Sequence, residues 1–454
     1  MARASFERGY DARLAEGQSS TTNINRIAGM ARSHKVTGSP HKVTGSPHKV
    51  TDDAPALGIG YHWWMPDQPG MVTFDVVTDD DVINFGIGQP APELMPVDVL
   101  RAASDDFLKH ADPLELNYGE RQGDIGFREA LAEFLTRNYC HPATAESLLV
   151  SNGNSQALDF VCARFTQPGD TVFIEEPTYF LAHSIFTDHG LNIVGIPMDE
   201  DGMRLDVFRE KLKTHRPALV YTIPSYHNPC SCTLSGERRR ELVALSREHD
   251  FVIAADEVYQ MLHYTEEPPP ALGTMISEGN VLSLGTFSKI MAPALRLGWI
   301  QASPGLMERM LKCGVINSGG SFNHFTSGVL RNAIEMGLQQ RTLDWLRPEY
   351  AARLDAMDQA LNENLGGHAR WQKPAGGYFF WLELEQSLDA AALKPKALEH
   401  GVGFQPGPVF SCKRDFSHCC RCGKPATPEA VSLPHNSPKK PPLPLKEIVQ
   451  LLNL

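Results

Sequence analysis

Long apolar runs are missing from this chain. No stretch of about 18 uninterrupted apolar residues and no secretory h-region occurs in its 454 residues, so neither a membrane span nor secretion is expected. Positive charge is short as well: 42 Lys and Arg stand against 54 Asp and Glu, a formal net charge of -12. That balance argues against a nucleic-acid-binding surface. Cysteine is thin, with nine scattered over the whole length, unlike a disulfide-stapled secreted domain, and a reducing compartment is expected. Residues 1–60 are poor in large apolar side chains and carry HKVTGSP at 34–40 and again at 41–47. Repeats that short have no apolar face to stack, so a disordered low-complexity tail is expected there. Its basic character is one mark of an organelle transit peptide, but Glu7, Asp11 and Glu16 run against that composition; a cytoplasmic protein is the expectation.

What is present suffices for a sizeable core: 42% of the residues are hydrophobic. The chain is organised around VLSLGTFSKIMAPALRLGWI, Val281 to Ile300. It opens as a buried strand expected to break at Gly285, then offers Thr286, Ser288, Lys289 and Arg296. A lone lysine is usually a solvated charge. In apolar surroundings its ammonium pKa falls and the amine becomes a nucleophile, while hydroxyls and an arginine suit a dianionic phosphate.

Upstream, INFGIGQPAPELMP places Gly86, Gly88 and Ala91 at the spacing of a dinucleotide-binding turn. Pro90 and Pro92 delay any helix to about Pro96, so that reading fails. Tyr118 and Gly123 precede an amphipathic helix. LLVSNGNSQALDFVCARF reads as strand, turn and helix, with Gly153, Asn154 and Ser155 at the helix entrance, where free N–H groups and the helix dipole favour an anion. TVFIEEPTYF is a short strand leading to Tyr179, a ring that packs in a core or stacks on a ligand. ALVYTIPSYHNPC carries Asn228 before Pro229, a turn pair, and a long helix is expected from about Ser235 to His249. FVIAADEVYQML is an apolar strand ending in Asp256 and Glu257, with Tyr259 three residues beyond Asp256. A carboxylate at the end of such a strand stands where open α/β sheets bind ligands, and an ionised one can keep a pyridine nitrogen protonated.

In this order and spacing the motifs resemble the class I/II aminotransferases, fold-type I pyridoxal phosphate (PLP) enzymes, and most of all the 2-aminoadipate and kynurenine transaminase branch. The resemblance runs from about Ile83 to about Phe410. It implies an α/β fold: a large domain of mostly parallel sheet from about 136 to 330, and a small α+β domain from about 80–135 and 331–410. It implies PLP as cofactor and a homodimer with shared active sites, acting on an amino acid and a 2-oxo acid by ping-pong half-reactions. Lys289 is then the Schiff-base and proton-transfer residue, Asp256 the partner of the ring nitrogen, and Tyr179 the ring that stacks on the pyridine. Asn228 and Tyr259 face the phenolic oxygen. Gly153, Asn154, Ser155, Thr286, Ser288 and Arg296 form the phosphate site, completed by Tyr118 from the partner subunit. Gly88 and Asn228 lie at the substrate. Asn154 and Ser155 replace the family's usual Ser and Gln, and Cys230 and Ser231 replace the Thr-Gly of its N-P-T-G motif.

After Phe410 the pattern departs. The family's strand with a carboxylate-binding arginine is matched only by Arg421, flanked by Cys420, Cys422 and Gly423 before a proline-rich end; 411–454 is expected to be a divergent, poorly ordered tail. His418, Cys419, Cys420 and Cys422 lack the usual pairing of a zinc site, and no metal is expected. The same cofactor residues serve lyases and decarboxylases. A PLP-binding regulator, or a protein impaired by its divergent end, are further readings.

Overall fold

The computed structural model describes residues 82–423. The tail, repeat and transit-peptide readings, and everything beyond 423, lie outside the described residues.

A short strand β1 (Ile83–Asn84) leads through a Pro-initiated turn to helix α1 (Val97–His110), which follows Pro90, Pro92 and Pro96 as their missing N–H groups demand. Helix α2 (Ile125–Tyr139) begins at Asp124, whose side chain caps Phe127 N. Then strands and helices alternate: β2 (Leu148–Ser151), α3 (Asn154–Phe165), β3 (Thr171–Glu176), α4 (Phe180–Asp188), β4 (Asn192–Asp199), β5 (Gly202–Met203), α5 (Leu205–Leu212) and β6 (Pro217–Thr222). Helix α6 (Gly236–Glu248), capped by Ser235, falls where the sequence places a helix. It is followed by β7 (Val252–Asp256), β8 (Val281–Thr286) and β9 (Gly298–Ala302).

These strands form one eight-stranded sheet in the order β2-β9-β8-β7-β6-β3-β4-β5. The pairs among β4, β3, β6, β7 and β8 are parallel; β9 and β5 add antiparallel pairs at the two sides. The central strands β6, β7 and β8 are almost wholly buried, the continuous apolar pattern of a sheet covered on both faces. This is the expected α/β architecture.

Four further helices, α7 (Pro304–Leu311), α8 (Gly314–Gly319), α9 (His324–Glu335) and α10 (Leu338–Leu365), lead to a second layer of strands. There β10 (Ala369–Arg370) and β11 (Phe379–Leu384) precede α11 (Ala390–Glu399), and β12 (Val402–Gly403) pairs in parallel with β1. β13 (Gln405–Pro406) and β14 (Cys419–Gly423) complete an antiparallel sheet ordered β10-β11-β14-β13. Residues 419–423 therefore do not leave the fold as expected. They pair with β11 along their whole length, Arg421 opposite Trp381, because strand alternation needs only small apolar groups on the core face and Cys420 and Cys422 supply them. The same alternation turns Cys419 to the other face, and no group of three His, Cys, Asp or Glu suited to a metal ion occurs among the described residues. No described helix is long and apolar enough to cross a membrane.

Gly285 does not break its strand. β8 continues to Thr286, and the missing side chain makes room for the ring of Trp299: a Cβ at Gly285 would lie 2.1 Å from two of its ring carbons. Gly285→Ala is expected to cost about 1–3 kcal/mol by overpacking. A denaturant midpoint equal to that of the parent protein would contradict this account of the β8–β9 contact.

Candidate functional site

The site gathers at the C-terminal ends of β6, β7 and β8. Lys289 lies three residues past β8, and its Nζ donates to Gly88 O at 2.5 Å and stands 5.3 Å from the centroid of the Tyr378 ring. Burial lowers its ammonium pKa to about 8. Arg421 and Arg296 push the same way, and Asp256 opposes them. The free amine is therefore a minor form at neutral pH and becomes the major one above about pH 8.

Asp256 closes β7. Burial raises its pKa, against hydrogen bonds from Asn154 Nδ2 to Oδ1 at 2.5 Å and from the Tyr221 hydroxyl to Oδ2 at 2.9 Å. Glu257, next in sequence, points elsewhere: it accepts from Leu272 N at 2.6 Å, Gly273 N at 3.1 Å and Ser283 Oγ. It holds a loop on the other side of the strand.

Gly153 caps α3 with φ of 82°, a conformation natural to glycine, so the first N–H groups of Asn154 and Ser155 open outward. A Cβ at Gly153 would meet Arg296 Nη2 at 3.3 Å; the guanidinium thus lies directly over the helix end. Arg296 itself is left-handed at φ of 46° and exposed. Thr286 Oγ1 and Ser288 Oγ are 2.9 Å apart in the adjoining turn. Together these groups make a cationic, donor-rich cradle at a helix N-terminus.

Tyr179 stands at the head of α4, edge-on to Phe180 at 5.6 Å. Tyr259 is 3% exposed, and burial drives its hydroxyl pKa upward. Asn228 is buried, and its Oδ1 accepts from Arg421 Nη1 at 3.0 Å. Arg421 Nη2 donates to Gly86 O at 2.7 Å, and the guanidinium lies 4.1 Å from the Phe379 ring and 4.9 Å from that of Phe410. These hydrogen-bond partners are neutral, and Arg421 Nε has none among the described residues. Burial lowers its pKa to about 10. A guanidinium this enclosed calls for an acid. Gly88 closes this corner, since a Cβ there would lie 2.7 Å from Phe379 Cζ.

Tyr118 is not drawn into the cluster by its own chain. It is 84% exposed, in a loop whose Gly119 abuts Ser321 and His324, and Asn323 in that turn donates to Leu295 O at 3.0 Å. The sequence reading missed Tyr221, Tyr378, Phe379 and the Gly86 carbonyl. The apolar run YFFW, Tyr378 to Trp381, is the signal that could have marked a buried strand at the site. Ser231 also finds a place: left-handed at φ of 60°, it donates to Phe379 O and ties the Asn228 loop to β11.

A cationic cradle at a helix N-terminus, a carboxylate and an amine gathered at the ends of adjacent strands are the parts a PLP site requires, and a buried Asn154 Oδ1 without a partner among the described residues adds an acceptor for a ligand or water. The residues fit that cofactor. The family profile described as "Aminotransferase class I and II" matches residues 80–431. Aromatic-amino-acid aminotransferase 1 of Thermococcus litoralis is 34% identical over 78% of this chain and 86% of its own. An uncharacterized HTH-type transcriptional regulator of Bacillus subtilis, YisV, is 30% identical over 73% of this chain and 67% of its own. The crystal structure of Pyrococcus horikoshii kynurenine aminotransferase, in complex with PMP, KYN as substrate and KYA as product, superposes with a TM-score of 0.71 at 31% identity, covering 76% of this chain and 87% of that one.

Proposed function

The chain belongs to the class I and II aminotransferases and is a PLP-dependent enzyme, and on that premise we propose that Lys289 is its cofactor lysine and Arg421 its substrate-carboxylate residue. The observation that carries this reading is the pair itself. A buried arginine with neutral partners lies against the Phe379 ring, Gly88 abuts the same ring, and the half-buried Lys289 donates to Gly88 O from the other side.

PLP, when bound, supplies an electron sink and a carrier for the amino group between two half-reactions. Asp256 would face its ring nitrogen, Tyr179 its ring, and Asn228 Nδ2 and Tyr259 its phenolic oxygen. The N–H groups of Asn154 and Ser155, with Thr286, Ser288 and Arg296, would take its phosphate. Arg421 and Asn228, with Gly88, would orient the α-carboxylate of an amino acid by two-point pairing. That orientation presents the α-hydrogen to Lys289 Nζ, which moves the proton as general base and acid. A ping-pong exchange with a 2-oxo acid follows.

We further propose a homodimer: Tyr118, Leu114 and Leu116, exposed by 84%, 75% and 61%, would be covered by a second copy, with Tyr118 reaching the partner's phosphate site. The protein would work in the cytoplasm, in amino-acid biosynthesis. The large domain would span about 136–330 and the small one about 80–135 and 331–423, extended past 410 because β14 pairs with β11. A second reading, a PLP-binding regulator, draws on the likeness to YisV and predicts cofactor binding without turnover.

The lysine assignment has a direct test. Acylation of Lys289 in the apoprotein, followed by mass spectrometry across pH, should rise with a midpoint near the lowered pKa of about 8. Arg421→Ala should move that midpoint upward, because a neighbouring cation disfavours the ammonium form and its loss relieves that repulsion. A midpoint at the ordinary lysine value of about 10.4 would remove the basis of the assignment.

A further inference from the structure

Each oxygen of Asp256 has its own neutral donor, and the two donors come from different elements. Tyr221 reaches Oδ2 from β6, the neighbouring strand, and is 0% exposed. Asn154 reaches Oδ1 from the first turn of α3, and its amide also donates to Leu284 O of β8 at 3.2 Å. Helix capping does not account for this, since the cap is Gly153 and Asn154 makes no cap bond. A carboxyl buried this deeply is driven toward its neutral form, and hydrogen bonds donated to it favour the anion. Burial and Asp256 together raise the Tyr221 pKa, so that hydroxyl keeps its proton to donate.

We propose that Asn154 and Tyr221 are positioning residues that hold Asp256 ionised and fixed in direction, with the Asn154 side chain acting through Asp256 while its backbone N–H serves the phosphate cradle. The proposal rests on reading Asp256 as the partner of the cofactor ring nitrogen. Serine, the usual residue of the resembled motif at this point, is too short to repeat the contact. Asn154 thus ties the helix end at the phosphate to the carboxylate at the ring.

The test is a set of double-mutant cycles read by the equilibrium dissociation constant for PLP, from quenching of protein fluorescence, with the pH titration of the bound cofactor's absorbance beside it. Tyr221→Phe and Asn154→Ser should each weaken PLP about tenfold, the scale of one hydrogen bond to a charged group, and should shift the absorbance titration. In an Asp256→Asn background each should change the constant less than about threefold. Tenfold losses that persist in that background would overturn the proposal, because the two residues would then act independently of Asp256. So would wild-type affinity in both single variants when Asp256→Asn alone weakens binding. If Asp256→Asn changes neither affinity nor titration, the reading of Asp256 falls and the proposal with it. Should Asn154→Ser fail to fold, the Tyr221→Phe cycle decides the matter alone.

Discussion

Lys289→Ala is expected to lower kcat by about a thousandfold or more, the upper part of the range for a positioned general acid or base, since the same amine is proposed to anchor the cofactor and move the substrate α-proton. The effect should fall on kcat more than on KM, because substrate orientation is assigned to Arg421 and Asn228. Lys289→Arg should not rescue: a guanidinium stays protonated at any working pH and cannot act as base. Folding should not suffer. With a folded pKa of about 8, below that of the unfolded chain, this lysine weakens the native state most below pH 8, where the enclosed amine carries its proton, and the effect fades as pH rises from there to the unfolded value. Lys289→Ala apoprotein should therefore unfold at a denaturant concentration no lower than the parent at pH 7. A variant that keeps kcat within tenfold of the parent would rule Lys289 out as the proton carrier.

Arg421→Ala is expected to reduce kcat/KM by two to three orders of magnitude, mainly through KM, on the scale of about 3–4 kcal/mol for a buried bidentate pair. The guanidinium is held before substrate arrives: Asn228 Oδ1 and Gly86 O take one hydrogen from each terminal nitrogen, and Phe379 and Phe410 lie against it. Its Nε and the remaining hydrogens are left for a carboxylate. Lysine offers one charged point in place of a planar fork, so Arg421→Lys should recover little of the loss. KM values within threefold of the parent for both variants would place the carboxylate site elsewhere.

The sequence was most legible where a chemical residue ends an apolar strand. Asp256 after VIAA and Lys289 after VLSLGTFS stand out because continuous apolar runs belong to buried parallel strands, and ligands collect at their C-terminal ends. The structure brings both into one cluster with Asn228, Tyr179 and the head of α3. Arg421 was harder to read. Its strand lacks the usual aliphatic flanks, and cysteines give a weak strand signal although they pack on the core face as well as small aliphatics do. The contacts of Asn154 and Tyr221 with Asp256 were hidden altogether, because 102 and 35 residues of chain separate the partners and no local periodicity marks such a meeting. Gly285 misled for a related reason: a glycine in a strand signals a bend or a close approach, and only Trp299, on the neighbouring strand, decides for the second. Tyr118 shows the limit of one chain, since the surface it is proposed to meet belongs to a second copy.

The most direct test of the whole account is a single half-reaction without an acceptor. Protein loaded with PLP is mixed with an excess of 2-aminoadipate, kynurenine or an aromatic amino acid, and the 2-oxo acid released is counted per chain. The account predicts about one equivalent per site from at least one of these amino acids, with further product only after a second 2-oxo acid is added. Cofactor bound at one per chain with no 2-oxo acid from any amino acid offered would contradict transamination and favour the regulatory reading.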